Sequence, residues 1–444
     1  MINLQLFAAD YHGTKQYIDP TNTANNIDYV PGTPSASGEY QGTDGLSVEM
    51  KTFYTEQLIR KAGPNLVHEQ FGKSAPIPAR KGDRAEFRYR KSLPKATSAI
   101  VEGVTPDPSK MTIVPIYADV EQYGKWLGYN DKFSLTALDP IVSEMTVALS
   151  EQAGLTCDTV VREIINGGTN VRFAQKNAGT ANASDVSSRA ELDSTAVITV
   201  KDVFKMAAIL KAANAPTKDG YFVAIAHPYV IYDLMMGAPD GMWKDVMSYA
   251  KPENMLKGEV GEIGGVRFVS TSEAKIFKGE IAKGVTSGTV AAAVANATDV
   301  TITLADNATV AANELADKYL VFGDKRYKVA SNEACTDSAT LKVTLAEAAT
   351  IAKDTKVGAG DTGKDGSAVF STLFIAGDEA YGVVDLGGQG VEFIAKPLGS
   401  GNDALNQRGS VGWKTYKGAV ILHQEYLLRY ESGSTMGNEI SKAN

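Results

Sequence analysis

The sequence predicts an α+β fold interrupted by a small inserted all-β domain, and three observations carry that reading. Two runs alternate apolar and polar residues with period two, one over 84–90 and the other from Met111. A long helical pattern fills 139–166. Between about 281 and 365 Ala, Thr, Val and Asp dominate, with aromatic residues nearly confined to Tyr319, Phe322 and Tyr327.

At 444 residues the chain exceeds one compact core and is expected to form two or three domains. Hydrophobic residues at 43% and charged residues at 22% are an ordinary soluble balance. A net charge of −8 argues against a protein that coats nucleic acid over its whole surface, though a locally basic loop is compatible with it. Cys157 and Cys335 stand far apart and outside any CxxC spacing, so no disulfide framework or zinc site follows and a reducing, intracellular setting is expected. The opening MINLQLFAAD lacks the basic region of a secretory signal, and no run of eighteen apolar residues occurs, so no membrane partner is expected.

Residues 8 to about 46 are rich in Asn, Thr, Gly, Pro, Ser and Asp, with isolated tyrosines, and read as an extended arm ordered on another surface or as a disordered tail. Helical spacing follows from Leu46 to Phe71, broken at Gly63–Pro64. Ala85, Phe87 and Tyr89 then alternate with Glu86, Arg88 and Arg90, giving a strand with one apolar face. With the run from Met111 it forms an extended hairpin over about 78–122. Arg80, Lys81, Arg84, Arg88, Arg90 and Lys91 fall within twelve residues at its base. That basic run fits nucleic acid, the acidic patches of a neighbouring subunit, or an ordinary solvated strand face.

For the long helix Asp139 is the expected N-cap, Pro140 suits the first position, and Gly167–Gly168 stops it. Ile141, Met145, Ala148, Gln152, Leu155 and Val160 trace its apolar stripe, extended by Val161, Ile164 and Ile165, and Gly154 marks a bend or an early end. The rod is about 40 Å long. A helix capped by Thr199, a strand in GYFVAIAHP and a helix opening at Pro228 form a helix–strand–helix unit.

KGEVGEIGGVRFVSTSEA (257–274) holds glycines 258, 261, 264 and 265. A phosphate-binding glycine loop follows a buried strand and opens a helix. These glycines run instead into the β-like VRFVSTS, lack G-x-G-x-x-G and GK[ST], and read as tight turns feeding a strand. In the insertion DVTITLAD and ATLKVTLAEA alternate, and KYLVFGDKRYKVAS reads as a hairpin turning at Gly323–Asp324. After it AVFSTLFIAGDEAYGVVDL reads as a strand pair, and strands continue through 390–398 and 409–431, with the polar tail beyond Glu431 expected to fray.

Catalytic signatures are wanting. His12, His68, His227 and His423 are scattered, with His227 in a local hydrogen-bonding role and His423 in a strand pattern, and no HExxH, GxSxG or paired metal spacing occurs. DTGKDG (361–366) has Gly at the third calcium-loop position and Thr372 at the twelfth, and reads as a turn. Both cysteines read as buried or incidental thiols. No enzyme, metal site or cofactor is expected.

The order of elements resembles the major capsid protein of tailed bacteriophages, with the Hong Kong 97-type fold, and is most similar to its coliphage N4-like branch. GDRAEFRYRKSLPKATSAIVEGVTPDP (82–108), YGKWLGYNDKFSLTALDPI (123–141), KPENMLKGEVGEIGGVRFVSTSEA (251–274) and DALNQRGSVGWKTYKGAVIL (403–422) carry the resemblance. It covers roughly 45–280 and 366–430, while 280–365 departs from the basic pattern. The resemblance implies an N-terminal arm (1–46) and a peripheral domain (47–194) holding an extended loop (78–122) and spine helix (139–166). It further implies an axial domain (195–280 and 366–430), the inserted β domain (281–365) and a tail (431–444). Inter-subunit contacts would fall on the extended loop, at Arg80, Lys81, Arg84, Arg88, Arg90, Lys91 and Glu102. The implied partners are copies of the chain in hexamers and pentamers, scaffolding, portal and decoration proteins, and packaged DNA on the inner face. The implied location is the virion, assembled in the host bacterial cytoplasm. The alternative is a virion surface or adhesion protein that binds through a β-sandwich-like insertion.

Overall fold

The structure, a computed structural model, describes residues 67–136 (apart from 79, 92, 94, 98, 100–101 and 103–109), 141–237, 259–386, 390–400, 405–440 and 443. The N-terminal arm, the helix expected before Phe71, the caps Asp139 and Pro140, and Gly258 therefore lie outside the described residues, as does most of the hairpin's tip. In chain order the elements begin with β1 (Lys73–Ser74), β2 (Arg84–Arg90), β3 (Ile113–Asp119), β4 (Glu121–Asn130), α1 (Asp131–Thr136) and α2 (Ile141–Asn166). Next come β5 (Val171–Phe173), α3 (Val200–Ala212), β6 (Phe222–Ala226), α4 (Pro228–Gly237), β7 (Glu259–Ile263), β8 (Val266–Ser270) and β9 (Ile276–Phe277). Then follow β10 (Ser287–Val290), β11 (Val294–Val310), β12 (Tyr319–Phe322), β13 (Lys325–Asn332), β14 (Cys335–Ile351) and β15 (Lys356–Ala359). The last five are β16 (Val369–Ile375), β17 (Tyr381–Asp385), β18 (Glu392–Lys396), β19 (Arg408–Ile421) and β20 (Leu427–Ser432). Helix and sheet are mixed, with few helices and many strands.

The chain divides into two compact units, one of residues 1–66, 121–157 and 388–417 and the other of 67–120, 158–387 and 418–444. In the first, β19 pairs antiparallel with β18 and, from Arg408 to Lys417, with β4. Tyr129, Phe393, Val411 and Trp413 of this sheet pack on Leu149 and Ala153 of α2. Gly124 is required there, because a Cβ would stand 2.6 Å from the Trp413 carbonyl oxygen.

The second unit is built on the mixed sheet β5-β20-β16-β6-β8-β7. All five residues of β6 are buried, as a continuous apolar run covered on both faces must be. Phe222, Ala224 and Ala226 face the cluster that holds Val203, Met206 and Leu210 of α3 and Val230 and Leu234 of α4. Val223 and Ile225 face Val161 and Ile165 of α2, with Phe71 and Tyr381. The Thr199 side chain accepts from Asp202 N–H while the Asp202 carboxylate accepts from Thr199 N–H, closing the cap of α3.

The glycines of 257–274 make the β7–β8 turn. Gly264 and Gly265 have φ of +62° and +83°, and the ring of Phe204 lies 2.7 Å from where a Gly264 Cβ would be. Residues 287–359 close a six-stranded barrel, β10-β11-β14-β13-β12-β15, around Val300, Ile302, Leu341, Val343, Val329 and Val357. The β12–β13 hairpin turns at Gly323, and 361–366 is a turn. Asn332 is buried and satisfied: its Oδ1 accepts from Leu315 N–H and its amide donates to the carbonyls of Ala311 and Glu333. Both cysteines are buried.

Four expectations need correction. The buried face of α2 runs through Thr146, Leu149, Ser150, Ala153, Cys157, Asp158, Val161, Arg162, Ile165 and Asn166, while Ala148, Gln152 and Leu155 are exposed. Half of that face is polar and hydrogen-bonded, which defeats a reading by hydrophobic period; the helix is continuous through Gly154. β16 and β17 are not a pair: β16 sits between β6 and β20, while β17 pairs parallel with β1. The tail does not fray at Glu431, since Ser432, Gly433 and Ser434 are buried, Gly433 N–H donates to Ala196 and Thr435 N–H to Asp233. Finally, His423 lies in the turn between β19 and β20 rather than in a strand.

Candidate assembly surface

The β2–β3 ribbon pairs in register from Arg84↔Asp119 to Arg90↔Ile113. Alternation then sorts its side chains into two faces. Ala85, Phe87 and Ala118 turn inward and pack with Ile77, Val384, Leu386 and Val420. Phe87 lies against Gly382, where a Cβ would stand 2.5 Å from its ring, so the ribbon is rooted by a glycine contact.

The outward face carries Arg84, Glu86, Arg88 and Arg90 on one strand and Ile113, Pro115, Tyr117 and Asp119 on the other. Arg84 grips Asp119 with two nitrogens, the Nη2–Oδ2 distance being 3.1 Å, and its guanidinium lies 5.5 Å from the Tyr117 ring centroid. This hydrogen bond holds the Asp119 carboxyl below its ordinary range and raises Arg84. Arg88 Nε donates to Glu86 Oε1 at 2.7 Å. Both pairs are exposed, so each contributes little to stability. Ile113 and Tyr117 are half exposed, and Met111 and Leu93 more so. The face thus sets guanidinium and carboxylate groups beside exposed apolar side chains.

Of the residues singled out from sequence, the structure brings Arg84, Arg88 and Arg90 together on this face. Arg80 (φ +67°) and Lys81 form the exposed turn before it, and Lys91 closes the ladder by donating to Thr112 O. Glu102 is exposed, among neighbours outside the described residues. Sequence reasoning missed Ile113, Tyr117 and the partner Asp119, although the alternation of IVPIYAD could have found all three.

At the foot of the ribbon opens a pocket of about 350 Å³ lined by Lys73, Tyr89, Arg90, Glu379, His423 and Tyr426 among others. The His423 ring stacks edge-on to Tyr89 and tilted against Tyr426, each at 4.7 Å. Among the described residues no group of acidic, His or Cys side chains could hold a metal, and no helix is long and apolar enough to cross a membrane.

The model of a family described as phage capsid protein matches residues 131–321, a span from α1 into the barrel. Among solved structures the chain is similar to the capsid of Ralstonia phage GP4 (12% identity, 91% of this chain and 97% of that one, TM-score 0.47). It is also similar to the capsid of cyanophage Pam1 (12%, 91% and 99%, 0.47) and to the acid-stable capsid of Helicobacter pylori bacteriophage KHP30 (10%, 95% and 99%, 0.46). No curated protein matches the sequence. The functional class rests on the family match. That match, over somewhat less than half of the chain, supports a role as a structural subunit of a phage head shell.

Proposed function

We propose that the chain is the repeating subunit of an icosahedral head of the Hong Kong 97 type, nearest its N4-like branch, which closes as hexamers and pentamers around double-stranded DNA. The family match over 131–321 is the observation that carries this reading. The arm is 1–46, the peripheral domain 47–194, the axial domain 195–280 with 366–430, the inserted domain 281–365 and the tail 431–444. The barrel at 287–359, with its own core, supports the insertion.

The physical mechanism is completion of one copy by the next. A two-stranded ribbon buries one face at most. The outward face of β2–β3, with its arginines, Ile113 and Tyr117, is the part that a neighbour would cover. Obligate interfaces of this kind bury about 2,000–5,000 Å². Arg80, Lys81, Arg84, Arg88, Arg90, Lys91 and Glu102 are proposed as contacts on this loop. Scaffolding, portal and decoration proteins are the further partners, and host cytoplasm is the place of assembly. Electron microscopy of the expressed protein tests the reading, since closed shells or six-membered rings are expected. A chain that stays monomeric under every assembly condition, and is not the dominant band of the virion, removes it.

A further inference from the structure

We propose that the pocket at the foot of the ribbon seats an acid–tyrosine dipeptide from the N-terminal segment of a neighbouring copy of this chain. The inference rests on the assembly reading above. Its first support is the chemistry of the pocket. Lys73 and Arg90 line it, and among the described residues neither has an ion-pair partner. Tyr89, His423 and Tyr426 form a continuous aromatic wall through their two 4.7 Å contacts. Glu379 is the carboxylate of the lining, which leaves the site net positive. A volume of about 350 Å³ is at the small end for a ligand site and suits a pair of side chains rather than a cofactor. Its natural occupant presents a carboxylate beside a planar ring, one for the cations and the other for the wall.

The second support is the sequence. An acidic residue directly followed by tyrosine occurs at Asp10–Tyr11, Asp28–Tyr29, Glu39–Tyr40 and Glu425–Tyr426. Three of the four lie in the first 46 residues, a stretch with five acidic residues against one lysine. That segment is thus complementary to the pocket in charge and in ring content, and it carries the matching motif three times over. The pocket opens beside the ribbon that the assembly reading sets against a neighbour, which selects a second copy as the donor.

Disulfide capture in the full-length chain tests this. Glu379→Cys is placed in one tagged chain, and His12→Cys, Val30→Cys or Gln41→Cys, each next to a dipeptide, in a differently tagged chain. Cys157 and Cys335 are buried and should stay silent. Mixed assembly under mild oxidation should give a linked heterodimer for at least one arm position. Lys73→Glu with Arg90→Glu in the pocket chain should cut its yield at least tenfold, and Asp28→Lys with Glu39→Lys in the arm chain should restore it. A bond formed only when both cysteines share one chain overturns the proposal, as does no bond at all or one indifferent to charge reversal. Micrographs of the same mixture report assembly separately. Shells without the bond sink the pocket and leave the shell, whereas bonded oligomers that never close do the reverse.

Discussion

Asp158→Ala is the most informative single perturbation of the fold. Asp158 lies on α2 at 0% exposure, and its Oδ1 accepts from the N–H of Val67 at 2.9 Å and of His68 at 2.8 Å. Its Oδ2 stands 2.7 Å from Nδ1 of the equally buried His68, whose carbonyl oxygen accepts from the Tyr381 hydroxyl. One carboxylate therefore fixes the Val67–His68 backbone against α2. Removing it strands the buried N–H of His68 and the part-buried N–H of Val67, at about 1–3 kcal/mol for a buried donor and less for the other, and breaks the buried contact with the His68 ring, partly offset because the carboxylate is no longer buried. A net loss of about 3–4 kcal/mol is expected. Asp158→Asn keeps an oxygen for the two N–H groups and should lose only about 1–2 kcal/mol. In scanning calorimetry the alanine variant should melt roughly 5 °C below wild type for a cooperative unit of about 300 residues. An alanine variant within 1 °C of wild type, or two variants that melt alike, would refute this account of the anchor.

Further outcomes are expected. Lys417 is 7% exposed, and burial lowers its pKa from 10.5 to about 8. The unfolded chain thus holds more protons between those values, so stability should rise as pH climbs from 8 to 10.5. The gain is of order 3 kcal/mol, and Lys417→Met should abolish this slope in urea titrations. Gly433→Ala would place a Cβ 1.9 Å from the Asp193 carbonyl oxygen, so the tail must move, and limited proteolysis should cut after Glu431 far faster than in wild type. Asn332→Ala leaves one donor and two acceptors without their partner inside the barrel, and hydrogen exchange there should quicken by two orders of magnitude or more, for a loss of about 3 kcal/mol. Thr199→Ala removes half of a capping box and should cost about 1 kcal/mol in chemical denaturation.

What was legible from sequence was local. The α3 cap is a three-residue relation, the ribbon follows from period two, and the β7–β8 and β12–β13 turns follow from glycine positions. What was not legible depends on partners far along the chain. The buried face of α2 contains Asp158, Arg162 and Asn166, whose long-range partners are Val67 and His68, Glu273 and Ser371 respectively. Hydrophobic spacing is blind to such pairs. AGDEA between β16 and β17 looks like a hairpin loop, yet Gly377 packs on Pro216 and the two strands go to different neighbours. The tail reads as polar surface because nothing local reveals that Gly433 fits against Asp193. At the candidate site the arginines were legible as a charge run. Their division between Asp119, Glu86 and the pocket was not, since it depends on a strand that returns more than twenty residues later.

The barrel has a consequence for engineering. Ser287 at its start is in register with Gly358 at its finish, so the polypeptide departs from and rejoins the surrounding sheet on neighbouring antiparallel strands, about 5 Å apart. A module attached by two such close ends is an exchangeable cassette. A foreign domain with adjacent termini is expected to be accepted there, leaving β16 and β20 to fold as before.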